Sequence, residues 1–338
     1  MNRWPNSVLL RLGWGLFLFF VQAANLLVTS RAEQGPSAQA MNVARQTFTY
    51  KKVGECEIKA DVYRADGNAK RPVILWIHGG ALIMGDRNGL RREQVERYVR
   101  AGYTVVSIDY RLAPETKLKE IIEDLRDAYQ WIRAKGPELF SADADRIAVI
   151  GHSAGGYLTL MTGFCVSPPP KALVPFYGYG DIIGEWYSRP DPFYNQQPKV
   201  SREEAEQSVG TKMIAEGSGR NRGRFYLYCR QQGLWPKEVA GHDPDKDPKA
   251  FDPFCPVRNV TKDYPPTLLL HGDKDTDVPY QQSVLMAAAL KRHEVEHELI
   301  TMTGRGHGFD GGREGMKDPV IAQTFDHVVA FLDKHLKN

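Results

Sequence analysis

Short runs along the chain are apolar without interruption: "VILWI" at 73–77, "YTVVSI" at 103–108, "IAVI" at 147–150, "ALVPF" at 172–176 and "TLLL" at 267–270. Runs apolar on both faces predict the buried strands of a parallel sheet. Between them the period changes. Leu118, Ile121, Ile122, Leu125, Ala128, Tyr129 and Ile132 recur at helical spacing. Further helices are predicted from near Gly155, after Tyr280 with Val284, Leu285 and Ala288 inward, and from about Pro319 with Ile321, Phe325, Val328 and Leu332 on one face. Upstream, "FTYKKVGECEIKADVYRA" alternates like one or two edge strands, and "HELITM" at 297–302 reads as another edge strand. Strands alternating with helices place the chain in the α/β class, with a mostly parallel, doubly wound sheet.

One stretch breaks the rhythm. Residues 181 to about 262 follow the strand at 172–176 and are rich in proline and aromatics, among them Trp186, Tyr187, Phe193, Tyr194, Phe225, Tyr226, Tyr228 and Trp235. A structureless loop of that length is disfavoured, so an insertion with short helices of its own is expected. Its aromatics either cap a site or pack the insertion's own small core. Residues 31–44, "RAEQGPSAQAMNVA", read as a flexible linker, which leaves 45–338 as the folded domain.

Composition adds mainly exclusions. A hydrophobic share of 42% and a charged share of 25% are ordinary for a globular protein. The net charge of +3, with no basic tract, gives no sign of a nucleic-acid partner. Nothing in the sequence sets an oligomeric state. Before the linker, Arg3 and Arg11 precede an apolar segment, and the first acidic residue is Glu33. Residues 1–30 therefore read as a signal peptide with an exit at Val21-Gln22-Ala23, or as a membrane anchor, since Leu12 to Ser30 is a 19-residue run without charge. A secreted or periplasmic protein is expected in the first case. In the second it is anchored with its folded part outside, and only then does it contact a membrane. Cys56, Cys165, Cys229 and Cys255 fit no zinc spacing. They are free buried thiols or, in an exported protein, disulfides, with Cys229–Cys255 the favoured pair.

The candidate chemistry sits at strand ends. Gly151-His152-Ser153-Ala154-Gly155 lies between a predicted strand and a predicted helix. A sharp turn there strains its middle residue, demands tiny neighbours at Gly151 and Gly155, and lifts the Ser153 hydroxyl clear of the sheet. Ser153 is thus a candidate nucleophile, and a serine hydroxyl needs a base. Of nine histidines, His307 in "GRGHGF" stands in a glycine loop before the last helix. The acid should follow another strand, and "TLLLHGDKDTDVPY" offers Asp273, Asp275 and Asp277. Asp275 is the choice, with Asp273 left to fix the loop and Asp277 to cap the next helix. Oxyanion donors are expected from the backbone N–H groups of Gly80 or Ala81, in "WIHGGALIMGDR", and of Ala154 at the start of a helix. His78 is read as a brace for that loop. No metal site is predicted.

"HGGA", "DYRLAPE", "GHSAGG", "HGDKDTDVP" and "GHGF" occur in this order. Over about residues 48 to 336 the sequence resembles the α/β-hydrolase superfamily, specifically the hormone-sensitive-lipase-like esterases. The resemblance implies the α/β-hydrolase fold with a cap insertion, a Ser153–His307–Asp275 triad, hydrolysis of carboxylic esters and no cofactor. It also implies structural roles for Asp109 and Arg111. Two positions depart from that group: Ala81 replaces a third glycine, and His152 stands where many members have aspartate. The acid loop "DTDVP" looks closer to prolyl oligopeptidases and to feruloyl or acetyl-xylan esterases. The expected activity is that of a serine carboxylesterase on small-molecule esters with a short acyl chain or an aryl or sugar group. Its rivals are a prolyl-oligopeptidase-type peptidase, for whose propeller the roughly 50 preceding residues are too few, and a non-catalytic binder on the same fold.

Overall fold

The computed structural model describes residues 42–217, 221–312 and 314–337. Residues 1–41, which hold the stretch read as a signal peptide or anchor and most of that read as a linker, lie outside the described residues. In chain order the principal elements are β1 (Val43–Val53), β2 (Cys56–Ala65), β3 (Arg71–Ile77), α1 (Arg92–Arg100), β4 (Thr104–Ile108), α2 (Leu118–Phe140), β5 (Ala142–His152), α3 (Ala154–Cys165) and β6 (Ala172–Phe176). They continue with α4 (Glu185–Ser188), α5 (Arg202–Gln207), α6 (Gly223–Gln232), α7 (Trp235–Ala240), β7 (Thr267–Gly272), α8 (Gln281–Arg292), β8 (His297–Met302) and α9 (Pro319–Leu336). β1 starts at Val43, two residues inside the stretch read as linker.

The eight strands form one sheet in the order β1-β2-β4-β3-β5-β6-β7-β8. β1 pairs with β2, and β2 with β4, antiparallel; every later pairing is parallel. Each apolar run of the sequence is a strand, and β6 and β8 fall on the predicted residues. β4, β6 and β7 are buried along their whole length, as strands covered on both faces must be. One face is packed by α2, α3, α8 and the insertion. The other is packed by α1 and α9, including Val95, Tyr98, Val99, Phe325 and Val328. Among the described residues no helix is long and apolar enough to cross a membrane.

Two expectations need correction. α8 buries Gln282, Ser283, Met286, Ala289 and Leu290, whereas Leu285, 40% exposed, and Ala288 face outward and Val284 is only partly buried. Polar anchors set that face. Ser283 Oγ lies 2.7 Å from His271 Nδ1, and Gln282 accepts the Asp181 N–H at 3.0 Å, so these two point inward and the apolar residues between them take what remains. The favoured Cys229–Cys255 disulfide is also not formed. All four cysteines are free, with Cys229 and Cys255 buried.

The insertion does carry its own short helices, α4 to α7. Most of its aromatics pack one another: Tyr187 stacks on Trp186 at 3.9 Å and on Trp235 at 4.1 Å, while Phe193 is 44% exposed. Polar ties join it to the loops above β3 and β4. Arg222, fully buried, donates to Ile83 O, to Ala113 O at 2.5 Å and to both oxygens of Glu115 at 2.8 and 2.6 Å. Trp235 Nε1 donates to Ala81 O at 2.9 Å. A buried cation is tolerated only when it is paired and its remaining donors are satisfied, and Arg222 meets both conditions.

Candidate active site

β3, β5, β6, β7 and β8 run parallel, so their C-terminal ends and following loops share one edge of the sheet, where ligands bind in open α/β folds. Ser153 stands at the end of β5, with φ 57° and ψ −117°. An L-residue held there costs about 1–3 kcal/mol and persists only where its surroundings enforce it. Here they do. A Cβ on Gly151 would lie 2.1 Å from Gly155 O, and one on Gly155 would lie 2.1 Å from Ile77 O. Strand, turn and helix touch through backbone alone. We expect Gly155→Ala to destabilise the fold by roughly 3 kcal/mol or more, since the added methyl meets rigid backbone. Urea unfolding measures this, and an unchanged midpoint contradicts the close-approach account.

The loop after β3 faces this turn. A Cβ on Gly79 would come within 3.2 Å of Ser153 Cβ. Gly80 O accepts the N–H groups of Ile83 and Met84, both at 2.9 Å, and Gly79 O lies 2.7 Å from His78 Nδ1. Trans peptide planes then send the N–H groups of Ala81 and Gly80 the opposite way, free of the loop's internal turns. Ala81 itself has φ 57°. Ala154 opens α3, where the first N–H groups lack intrahelical acceptors. His78 stacks on Tyr110 at 4.1 Å, and burial lowers its pKa to about 4. It braces the loop, as the sequence suggested.

Asp275 and His307 meet directly, with Asp275 Oδ2 2.7 Å from His307 Nδ1. The other oxygen, Oδ1, accepts the N–H groups of Asp277 and Val278, each at 2.9 Å. His271 Nε2 lies 3.2 Å from Oδ2. Burial pushes the Asp275 pKa up, but the hydrogen bonds from His271 and His307 outweigh it and hold the carboxyl well below its usual range. Asp273 fixes the neighbouring loop by accepting the Gly304 N–H at 2.6 Å. Asp277 does not cap α8. Its Oδ1 instead accepts from Tyr194 and Arg230, both at 2.8 Å, and from Tyr226 at 2.5 Å. Those three residues come from the insertion, which draws the carboxylate away from the helix start. Ser153 Oγ has no hydrogen-bond partner among the described residues, and His307 Nε2 lies 3.4 Å from Asp277 Oδ2.

Asp109 and Arg111 take structural places. Asp109 binds the Arg87 guanidinium at 2.5 Å, and Arg111 forks onto Asp124 at 2.7 and 2.8 Å. Sequence reasoning missed a second polar cluster beside the elbow. His152 Nδ1 accepts from Trp76 Nε1 at 3.1 Å, which leaves the ring proton on Nε2, 3.1 Å from Asp310 Oδ2. Asp310 also accepts from Gln94 at 2.7 Å and from the Tyr177 hydroxyl at 2.6 Å. The Tyr177 ring meets His307 edge-on at 4.6 Å. A cavity of about 370 Å³ opens here between Gly79, Gly80, Arg91, His152, Tyr177 and Gly308. The sequence signal for this cluster was His152, a departure from the family pattern; its partner Asp310, three residues after His307, went unread.

Comparison with known proteins bears on the fold and the family. The chain is 28% identical over 352 residues to the non-reducing polyketide synthase adrD of Penicillium rubens, covering 90% of this chain but 14% of the synthase. It is 28% identical to esterase LipC of Mycobacterium tuberculosis, covering 76% of this chain and 58% of LipC. The chain thus spans less than two thirds of both curated relatives. Among solved structures, an esterase from Thermogutta terrifontis superposes with a TM-score of 0.60 at 22% identity, over 86% of this chain and 92% of that one. That esterase has also been solved phosphorylated by paraoxon. Residues 60–290 match the BD-FAE family. Strand order, elbow and matched span lead to one conclusion: the chain belongs to the BD-FAE family, within the esterase-type α/β hydrolases.

Proposed function

We propose that the protein is a serine carboxylesterase working through an acyl-enzyme. The observation that carries this reading is the Asp275–His307 pair, 2.7 Å apart, together with a serine forced onto a strained elbow at the end of β5. Asp275 accepts a hydrogen bond from Nδ1–H and fixes the tautomer, so Nε2 of His307 is left to accept a proton. Ser153 Oγ attacks the ester carbonyl as His307 removes its proton, and the oxyanion is held by N–H groups of Gly80 or Ala81 and Ala154. His307 then protonates the departing alcohol. Water, deprotonated by the same ring, attacks the acyl-enzyme and releases the acid. LipC and the Thermogutta protein are both esterases, which supports the reading.

For substrate, we propose small esters with a short acyl chain or an aryl or sugar group. Most aromatics of the insertion pack one another, and the cavity of about 370 Å³ beside the elbow is lined by glycines, His152, Tyr177 and Asp310 rather than by an apolar run. A panel of p-nitrophenyl esters from acetate to palmitate, with a feruloyl ester and a prolyl amide, tests this. Turnover is expected for short or aryl esters. Turnover of the amide alone overturns the proposal in favour of a peptidase.

The pH dependence has a defined sign. Burial pulls the His307 pKa down, but its hydrogen bond to Asp275 and the nearby Asp277 carboxylate raise it above the ordinary 6.5. Only the unprotonated ring is a base, so kcat/KM rises with pH through that raised value. The acid limb is therefore expected to have its midpoint above 6.5. A profile already flat from about pH 5 upward contradicts this.

A further inference from the structure

His307 lies between two carboxylates, and the triad accounts for only one of them. Asp275 holds Nδ1 at 2.7 Å, while Asp277 Oδ2 lies 3.4 Å from Nε2, the nitrogen that must serve Ser153. Asp277 is aimed there by the insertion. Its Oδ1 is saturated by Tyr194, Tyr226 and Arg230, which leaves Oδ2 towards the ring. Arg230 is itself buried, bound to Asp191 at 2.5 Å and set against the rings of Tyr187 and Tyr194 at 5.0 and 4.6 Å.

We propose that Asp277 is a positioning residue for His307: in the free enzyme its Oδ2 faces the Nε2–H of the doubly protonated ring and holds it, and the ring must give up that proton and leave Asp277 before Nε2 can serve Ser153. The inference rests on the reading of His307 as the base. Because Asp277 is fixed by α6 and by the segment before α5, the insertion reaches the base through this carboxylate as well as through its ties to the oxyanion loop.

Charge counting supports the arrangement. Asp275 and Asp277 face the ring from the acid loop. Arg230, Asp191, Tyr194 and Tyr226 face Asp277 from the insertion. Tyr177 closes the ring's edge with Asp310 behind its hydroxyl, and His271 stands behind Asp275. Arg230 pairs with Asp191 and Asp277, while Asp275 and Asp277 both face the ring, so a proton on His307 is favoured. An opposite charge within about 4–6 Å favours the charged form by about one unit or more.

The test is Asp277→Asn, read two ways. Long-range ¹H–¹⁵N NMR follows the His307 ring through its titration, with the resonance identified by its loss in His307→Gln. In parallel, kcat/KM for p-nitrophenyl acetate is measured over the same pH range. Asp277→Asn is expected to lower the NMR midpoint by about one pH unit, a ten-fold gain in unprotonated ring on the acid side. The acid limb of kcat/KM should follow it. Asp277→Asn/Arg230→Met, which removes the buried pair together, is expected to shift the midpoint in the same direction by less, because Asp277 is the nearer charge. An unchanged or raised midpoint in whichever variant folds overturns the proposal. So does a wild-type midpoint at or below 6.5, which needs no variant. If instead the NMR midpoint moves and the activity profile does not, the Asp277 contact stands and the role of His307 as base is what fails.

Discussion

Replacing Ser153 by alanine is expected to lower kcat for p-nitrophenyl acetate by about four to six orders of magnitude, while the fold survives. The first part follows from the site. Ser153 occupies the elbow at the mouth of β5, facing the Gly79–Ala81 loop, and no other hydroxyl shares that position. Without it no acyl-enzyme forms, and the remaining turnover is what the oxyanion donors and binding give to attack by water, roughly 10³- to 10⁴-fold over solution. The second part follows from packing. Ser153 Oγ makes no hydrogen bond among the described residues, so its loss strands no buried partner. What holds the turn is backbone: Ser153 N to Phe176 O at 2.9 Å and Tyr157 N to Ser153 O at 2.9 Å. Alanine keeps both. Far-ultraviolet circular dichroism and the urea midpoint should match wild type. Undiminished turnover by the variant contradicts the assignment of the nucleophile.

Asp275→Asn is expected to cost about 10⁴-fold in kcat with little change of shape. The reason lies in how the carboxylate is used. Oδ1 accepts two backbone N–H groups, from Asp277 and Val278. An asparagine must keep its oxygen there, because an amide nitrogen would face two donors. Its NH2 then takes the place of Oδ2, opposite His307 Nδ1. A donor in that place drives His307 to the tautomer with its proton on Nε2, and that nitrogen no longer accepts the Ser153 proton. Kinetics at pH 8 beside ¹⁵N shifts of His307 check both halves. Full activity, or an Nδ1–H tautomer in the variant, contradicts the account.

Much of this was legible in the chain because local rules and tertiary placement agree. β6 and β7 are apolar on both faces because helices cover both faces. The elbow was legible because glycines two residues either side of Ser153 have one strong use at a strand–helix junction. The misses have a common cause, which is partnership with distant residues. α1 went unread because, between its charged residues, Val95, Tyr98 and Val99 are its buried apolar positions, and Gln94 is buried on Asp310 from far along the chain. Leu285 looked inward by composition, but the hydrogen bonds of Gln282 and Ser283 turned α8. Arg222 and Arg230 gave no signal within the insertion's sequence. They are buried because Glu115, Asp191 and Asp277 wait for them at separations of 39 to 107 residues. Periodicity carries no trace of such pairs. His271 was inside a quoted motif, yet its support of the acid depends on Ser283 and Val278, whose positions the fold decides.

The most direct test of the central claim, that Ser153 is the nucleophile of an esterase, is chemical labelling. The purified protein is treated with paraoxon, and intact and peptide mass spectra are recorded. The account predicts one diethylphosphoryl group per chain, on the peptide containing Ser153, with loss of ester turnover in proportion and no labelling of Ser153→Ala. Labelling at another residue that tracks the loss of activity, or ester turnover that persists once Ser153 is fully modified, contradicts it.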